Sequence, residues 1–179
     1  SGYGTMEVAG DVTANNTVDV AKLEVKADNT LTIDADNLKS SSITNDGTIS
    51  LGNGTMSATI ANGKVNVKSG STVNASLGQL GTTLTNNGTL NMTGDLTKDI
   101  QGAGKTVLGS DVVKVDGNKE IAGTLDMNGK TINMQEDPAQ YNELKVGKLA
   151  GEGNLNIDAD LTSSESDKIT VAEDSPGAV

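Results

Sequence analysis

The sequence predicts a parallel β-solenoid, and three observations carry that prediction: a core vocabulary without large aromatics, a recurring Gly-Thr-apolar unit, and turn residues flanking most of the apolar runs. Of the 179 residues none is Phe, Trp, Cys or His, and only Tyr3 and Tyr141 are aromatic. Aromatic side chains supply much of the buried area of a thick core, so here aliphatic residues must do it alone. Yet 34% of the chain is hydrophobic, which is too much, and too regularly spaced, for a disordered polar chain. An aliphatic interior suits a narrow structure one or two side chains across.

The repeat is a turn residue, Gly, often Thr, then an alternating apolar–polar run. Its two clearest copies are Thr44-Asn-Asp-Gly-Thr-Ile-Ser-Leu51 and Thr85-Asn-Asn-Gly-Thr-Leu-Asn-Met92, 41 residues apart. Looser copies begin at Thr30, Thr48, Thr72, Thr89, Thr106, Thr124 and Glu143, at offsets of 18, 24, 17, 17, 18 and 19. Further runs lie between them, at Val65–Val67, Val113–Val115, Ile132–Met134, Leu155–Ile157 and Ile169–Val171. The expected coil is about 17–20 residues long. At ~4.8 Å between stacked strands, about ten coils make a rod of roughly 45–50 Å.

Each run reads directly as a strand. Alternation with period two places Ile49 and Leu51 on one face and Ser50 on the other. The flanks carry Asn45-Asp-Gly47, Asn53-Gly54, Asn62-Gly63, Asn87-Gly88, Asp116-Gly-Asn118 and Asn128-Gly129, residues that tolerate positive φ and so let a chain turn sharply. Asn-Gly between alternating runs is also the signature of an antiparallel hairpin. The solenoid is preferred because a meander has no reason to repeat one Gly-Thr-apolar phase, whereas stacked coils place like on like. Rows of Thr and Asn then hydrogen-bond between neighbouring coils.

Residues 1–171 are read as one solenoid, with 150–171 as its closing coils. Residues 135–145, which contain Pro138, are expected to form a loop or one short helical turn at its side. Residues 172–179 read as a flexible tail.

A net charge of −11 and a pI near 4.3 exclude the basic footprint of a nucleic-acid binder, and an anionic membrane surface would repel the chain. No stretch approaches the ~18 apolar residues of a membrane span. The start, Ser1-Gly-Tyr-Gly4, lacks the charged and apolar regions of a signal peptide.

The segments TNDGTISL, TNNGTLNM and Ala122-Gly-Thr-Leu-Asp-Met-Asn-Gly-Lys-Thr-Ile-Asn-Met134 resemble passenger domains of bacterial autotransporters. That resemblance implies a right-handed parallel β-helix exported to the surface of a Gram-negative bacterium. The run Gly151–Leu161 followed by Ser166-Asp-Lys-Ile-Thr-Val171 is similar to the C-terminal end of pertactin-like passengers, near their autochaperone region. By the same resemblance the translocator barrel lies outside this chain. A host or bacterial surface glycan or protein, or a second copy of the chain, is the partner it implies.

Candidate chemistry is sparse. Without His or Cys there is no His-assisted Ser nucleophile and no Cys nucleophile, nor any Cys-ligated metal. Asp34 with Asp36, and Asp158 with Asp160, offer carboxylate pairs for glycoside hydrolysis or calcium. Both pairs alternate along short polar runs where solvation is expected, no aromatic wall accompanies them, and no calcium loop motif is present. Gly102-Ala-Gly-Lys-Thr106 lacks the spacing of a phosphate loop. The sequons at Asn53, Asn74, Asn87 and Asn91 follow from composition. Thr30-Leu-Thr32 and Thr83-Leu-Thr85 are the Thr-x-Thr pairs an ice-binding face would need in a regular column. The expectation is a non-enzymatic surface with no catalytic residue, metal or cofactor, and with an unassigned ligand-binding face.

Overall fold

The computed structural model describes residues 4–135 and 140–172. Tyr3, Pro138 with the centre of the expected loop, and all but the first residue of the expected tail lie outside the described residues. The rest winds as the repeat predicts. The first two windings contribute β1 (Thr5–Val8), β2 (Val12–Ala14), β3 (Lys22–Val25) and β4 (Thr30–Asp34), the last followed by a 3-10 turn at Ala35–Asn37. The third holds β5 (Ile43–Asn45), β6 (Thr48–Gly52) and β7 (Gly54–Thr55). The fourth holds β8 (Lys64–Val67), β9 (Thr72–Ser76) and a 3-10 turn at Leu77–Gln79; the fifth holds β10 (Thr83–Asn86) and β11 (Thr89–Thr93). Next come β12 (Ile100–Gln101), β13 (Lys105–Leu108) and β14 (Val112–Lys114), then β15 (Lys119–Asp126) and β16 (Thr131–Asn133). The eighth winding contains β17 (Glu143–Ala150) and β18 (Asn154–Asn156). A hairpin of β19 (Ala159–Asp160) and β20 (Glu165–Ser166) leads to β21 (Lys168–Val171).

Every described strand pairing is parallel except β19 with β20. Column one stacks β2, β4, β6, β8, β10, β12, β15, β17 and β21; column two stacks β7, β9, β11, β13, β15 and β17. Shorter sheets complete the windings, β1-β3-β5 at the start and β14-β16-β18 near the end, while parallel bridges Val18–Leu38, Ile60–Leu80 and Leu96–Val115 join other coils. Along column one, partners lie 16 to 21 residues apart from Val12 to Ile121. The spacing then widens to 25 from Ile121 to Val146 and again to Val171. The segment before β17 and the β19–β20 hairpin take up those extra residues, so the chain completes about eight turns.

The apolar phase of each run fills the interior. In column one Leu31, Ile49, Val65, Leu84, Ile100, Ile121 and Val146 stack inward, none more than 2% exposed. Column two stacks Val73, Leu90, Thr106 and Leu125. Like packs on like in registered rungs, and burial of these aliphatics at roughly 25 cal/mol per Å² is the main stabilising term.

Two details of the repeat are corrected by the register. Thr106 is not the counterpart of Thr89: Thr89 pairs with Lys105 and Leu90 with Thr106. Thr106 is therefore fully buried, and its hydroxyl accepts from Asn86 Nδ2 at 3.3 Å. The seven predicted runs also divide between two columns. Those starting at Thr30, Thr48 and Glu143 lie in column one; those at Thr72, Thr89, Thr106 and Thr124 lie in column two. The 24-residue step from Thr48 to Thr72 is thus a change of column. Sheet β1-β3-β5 stops at β5 while column two begins at β7, so β6 rests on β4 and carries β8. Gly-Thr-apolar marks the exit from a corner, and one winding has more than one corner.

Between columns one and two the corner is glycine-lined. A Cβ at Gly88, Gly104, Gly123 or Gly147 would meet a backbone carbonyl of the preceding coil at well under 3.0 Å. None of these four has positive φ, so space rather than conformation demands glycine there. At Ala122-Gly123 and Gly147 the corner is tight enough that β15 and β17 each run through it as one strand, with a register shift between Ile121 and Thr124.

Candidate interaction surface

The outward residues of both columns form hydrogen-bonded polar ladders. In column one Thr32, Ser50, Asn66, Thr85 and Gln101 occupy successive rungs. Asn66 Nδ2 donates to Ser50 Oγ at 3.1 Å, and Asn87 Nδ2 to Asn66 Oδ1 at 3.0 Å. Ser50 points outward as its alternation predicts, but neighbouring ladder members leave it only 8% exposed. Column two repeats the arrangement: Asn74 Nδ2 donates to Thr55 Oγ1 at 3.1 Å, and Asn91 Nδ2 to Asn74 Oδ1 at 2.7 Å. Above Asn91 the ladder stops at outward Val107, beyond which Lys105 Nζ pairs with Asp126 at 2.6 Å and holds the Asp126 carboxyl below its usual range. Each ladder borders a shallow open trough. The one on column one, of about 610 Å³, is lined by Thr30, Thr48, Lys64 and Thr83 as well as ladder members. Such ladders fix side-chain rotamers before any ligand arrives, which lowers the entropy lost on binding.

Of the four carboxylates singled out in the sequence, those of Asp36 and Asp160 are engaged structurally. Asp36 Oδ1 accepts the Thr55 amide at 2.7 Å, while Asp34 is exposed at the end of β4. Asp160 accepts from the Thr162 and Ser163 hydroxyls at 2.6 and 2.8 Å inside the hairpin. The Asp158 amide is held by Asp167 Oδ2 at 2.8 Å. Asp167, buried to 2%, also accepts the Asn142 amide at 2.7 Å; this bonding is the physical content of the Ser-Asp-Lys run. Gly102–Thr106 turns a corner into β13 rather than into a helix. Thr30/Thr32 and Thr83/Thr85 share column one, but Thr48/Ser50 and Lys64/Asn66 separate them, so no continuous Thr-x-Thr column forms. The sequon asparagines 74, 87 and 91 are ladder members, and Asn53 Oδ1 accepts the Thr72 amide at 2.8 Å. No group of three or more Asp or Glu that could hold a metal occurs among the described residues.

One recurring device escaped the sequence reading. Carboxylate or amide oxygens cap the amide at the start of a strand one coil later: Asp11 to Thr30, Asp36 to Thr55, Asn53 to Thr72, Asp99 to Glu120 and Asn118 to Glu143, at 2.7–2.9 Å. An Asp or Asn spaced 19 to 25 residues before a strand start was the available signal. Three of the chain's 24 acidic residues, Asp11, Asp36 and Asp99, act as such caps.

Acid should loosen two of the surface contacts. Lys22 and then Lys26 depress Glu24 to about 2, and the Thr162 and Ser163 donors depress Asp160 to about 2. Because the folded values lie below the ordinary carboxylate range, the stabilisation is present above about pH 4 and is lost as pH falls through 2. Carboxyl-carbon NMR titration should place both midpoints near 2; midpoints near 4 would show that these contacts do not persist in solution.

The comparisons agree with this architecture. The pertactin family model matches residues 122–179. The chain is 34% identical over 107 residues to the autotransporter adhesin/invasin TibA of Escherichia coli, an alignment covering 55% of this chain and 11% of that protein. No solved structure matches significantly. No helix among the described residues is long and apolar enough to cross a membrane. With its parallel coils, its closing segment that matches the pertactin model and its likeness to an autotransporter adhesin, the chain is a β-solenoid similar to an autotransporter passenger β-helix.

Proposed function

We propose that this chain is a surface-exposed adhesive segment, acting outside a Gram-negative cell by binding a surface glycan or protein or by pairing with another copy of itself. The observation that carries the reading is the pair of preordered Asn/Thr/Ser ladders bordering open troughs. The adhesin/invasin designation of the E. coli relative supports it. The reading involves no catalysis and no cofactor. A screen of the purified chain against glycans, matrix proteins and itself should find a saturable partner. That partner should be lost when Asn66, Asn87 and Thr85 are replaced together by alanine on a chain that keeps its β spectrum. Absence of any partner would sink the reading for this segment.

A second reading, a passive stalk that displays another part of a longer chain and drives folding during secretion, is favoured by one observation: the troughs are shallow and carry no aromatic anchor. Deleting 150–171 should then impair folding while recognition by the displayed part survives. Normal surface display after the deletion would count against the stalk.

A further inference from the structure

Beside the N-terminal ends of β10, β12 and β15, a second open hollow of about 380 Å³ crosses three windings; Thr82, Thr97, Lys98, Gln101, Asn118 and Lys119 are among its lining residues. It gathers two lysines, where the trough on column one has Lys64 alone. Lys98 and Lys119 each lie two residues before a paired isoleucine, Ile100 and Ile121, which brings two ammonium groups to neighbouring coils of a chain whose net charge is −11.

Neither lysine is neutralised. Lys98 Nζ donates to the carbonyl oxygens of Leu80, at 3.3 Å, and Gly81. Lys119 Nζ donates to the carbonyls of Asp116 and, at 3.2 Å, Asn118. Among the described residues neither has a carboxylate partner, as is also true of Lys39, Lys64, Lys68 and Lys148, but only Lys98 and Lys119 share one hollow. Lys98 is partly desolvated, and burial alone pulls its ammonium below the usual lysine range. A desolvated cation held only by neutral carbonyls gains most from an incoming anion. The acid that shares the hollow, Asp99, is engaged on the Glu120 amide at 2.9 Å.

We propose that this hollow binds an acidic sugar, whose carboxylate or sulfate is held by Lys98 and Lys119 and whose hydroxyls meet Thr82, Thr97, Asn118 and Gln101. Apart from Leu84 and Asp99, the remaining lining is hydroxyl and amide, which suits a polyhydroxylated ring better than an apolar ligand. The proposal rests on the adhesive reading in taking a glycan as ligand, but it can fail separately.

The test is calorimetric titration of the purified chain with three probes: a heparin-derived tetrasaccharide, a tetragalacturonate and neutral maltotetraose. Binding is expected for an acidic probe and not for the neutral one, and it should weaken as salt rises. The sulfated and carboxylated arms identify which anion is preferred. The double substitution Lys98→Gln and Lys119→Gln should weaken binding about tenfold or more, while Lys39→Gln with Lys68→Gln, an equal charge change elsewhere, should leave it unchanged. Should the double variant lose its β spectrum, Lys119→Gln alone, expected to cost about threefold, decides the matter because its contacts are exposed. No affinity for either acidic probe, or equal affinity in wild type and folded variants, overturns the proposal. Adhesion through the ladders would still stand if the ladder substitutions abolish binding of another partner.

Discussion

Replacing Leu90 with Asp is expected to destabilise the fold by at least about 3 kcal/mol, because it places an unpaired charge where no water reaches. Leu90 is fully buried, with Val73 on the rung below and Thr106 on the rung above. Thr106 is already hydrogen-bonded by Asn86, so a carboxylate there would find little compensation. The neighbouring Asn91 faces outward and makes one ladder bond, to Asn74, so Asn91→Ala should cost only about 1 kcal/mol. Urea unfolding followed by far-UV circular dichroism compares the two. Because each coil touches only its neighbours, hydrogen exchange should show the Leu90→Asp damage concentrated in the coils around β9, β11 and β13. Equal losses at positions 90 and 91 would mean that the assigned register of inward and outward residues is wrong.

The second large effect is expected at the corner. Gly123→Val should cost at least about 3 kcal/mol, and even Gly123→Ala should be markedly destabilising, since the first added carbon meets the Gly104 carbonyl oxygen. The obstacle is backbone rather than a side chain that can swing aside. Relief requires β15 to move away from β13, and that strand pairs on both sides. Gly10→Ala makes the control: nothing lies within 4 Å of its would-be Cβ and its φ is not positive, so its stability should stay within about 0.5 kcal/mol of wild type. Thermal melts of the three variants beside wild type suffice. A Gly123→Ala chain as stable as the parent would show that the corner is looser than its geometry indicates.

These two residues also mark the boundary between what was legible and what was not. Leu90 could be assigned to the interior from its run alone, because a period-two pattern beside Asn-Gly fixes which side chains share a face. Gly123 reads in the sequence as one more turn glycine. Its demand for empty space exists only because the carbonyl of Gly104, from the preceding coil, arrives at that point. The strand-start caps are of the same kind: Asp11, Asp36 and Asp99 look like solubilising charge until the amide one coil away is in place.

The sequence by itself determined the class of fold, the aliphatic core, the polar outer face and the pertactin-like character of the closing segment. All of these depend on composition, on short-range alternation or on contiguous motifs. Only the tertiary structure decided which runs stack in which column, that Thr106 turns inward, that the last two windings lengthen to 25 residues, and that Lys98 and Lys119 face one hollow without carboxylate partners. Those features depend on register between coils. A single corner can absorb or release several residues without disturbing the alternation within any strand, so the local pattern carries no record of which rung each strand will meet.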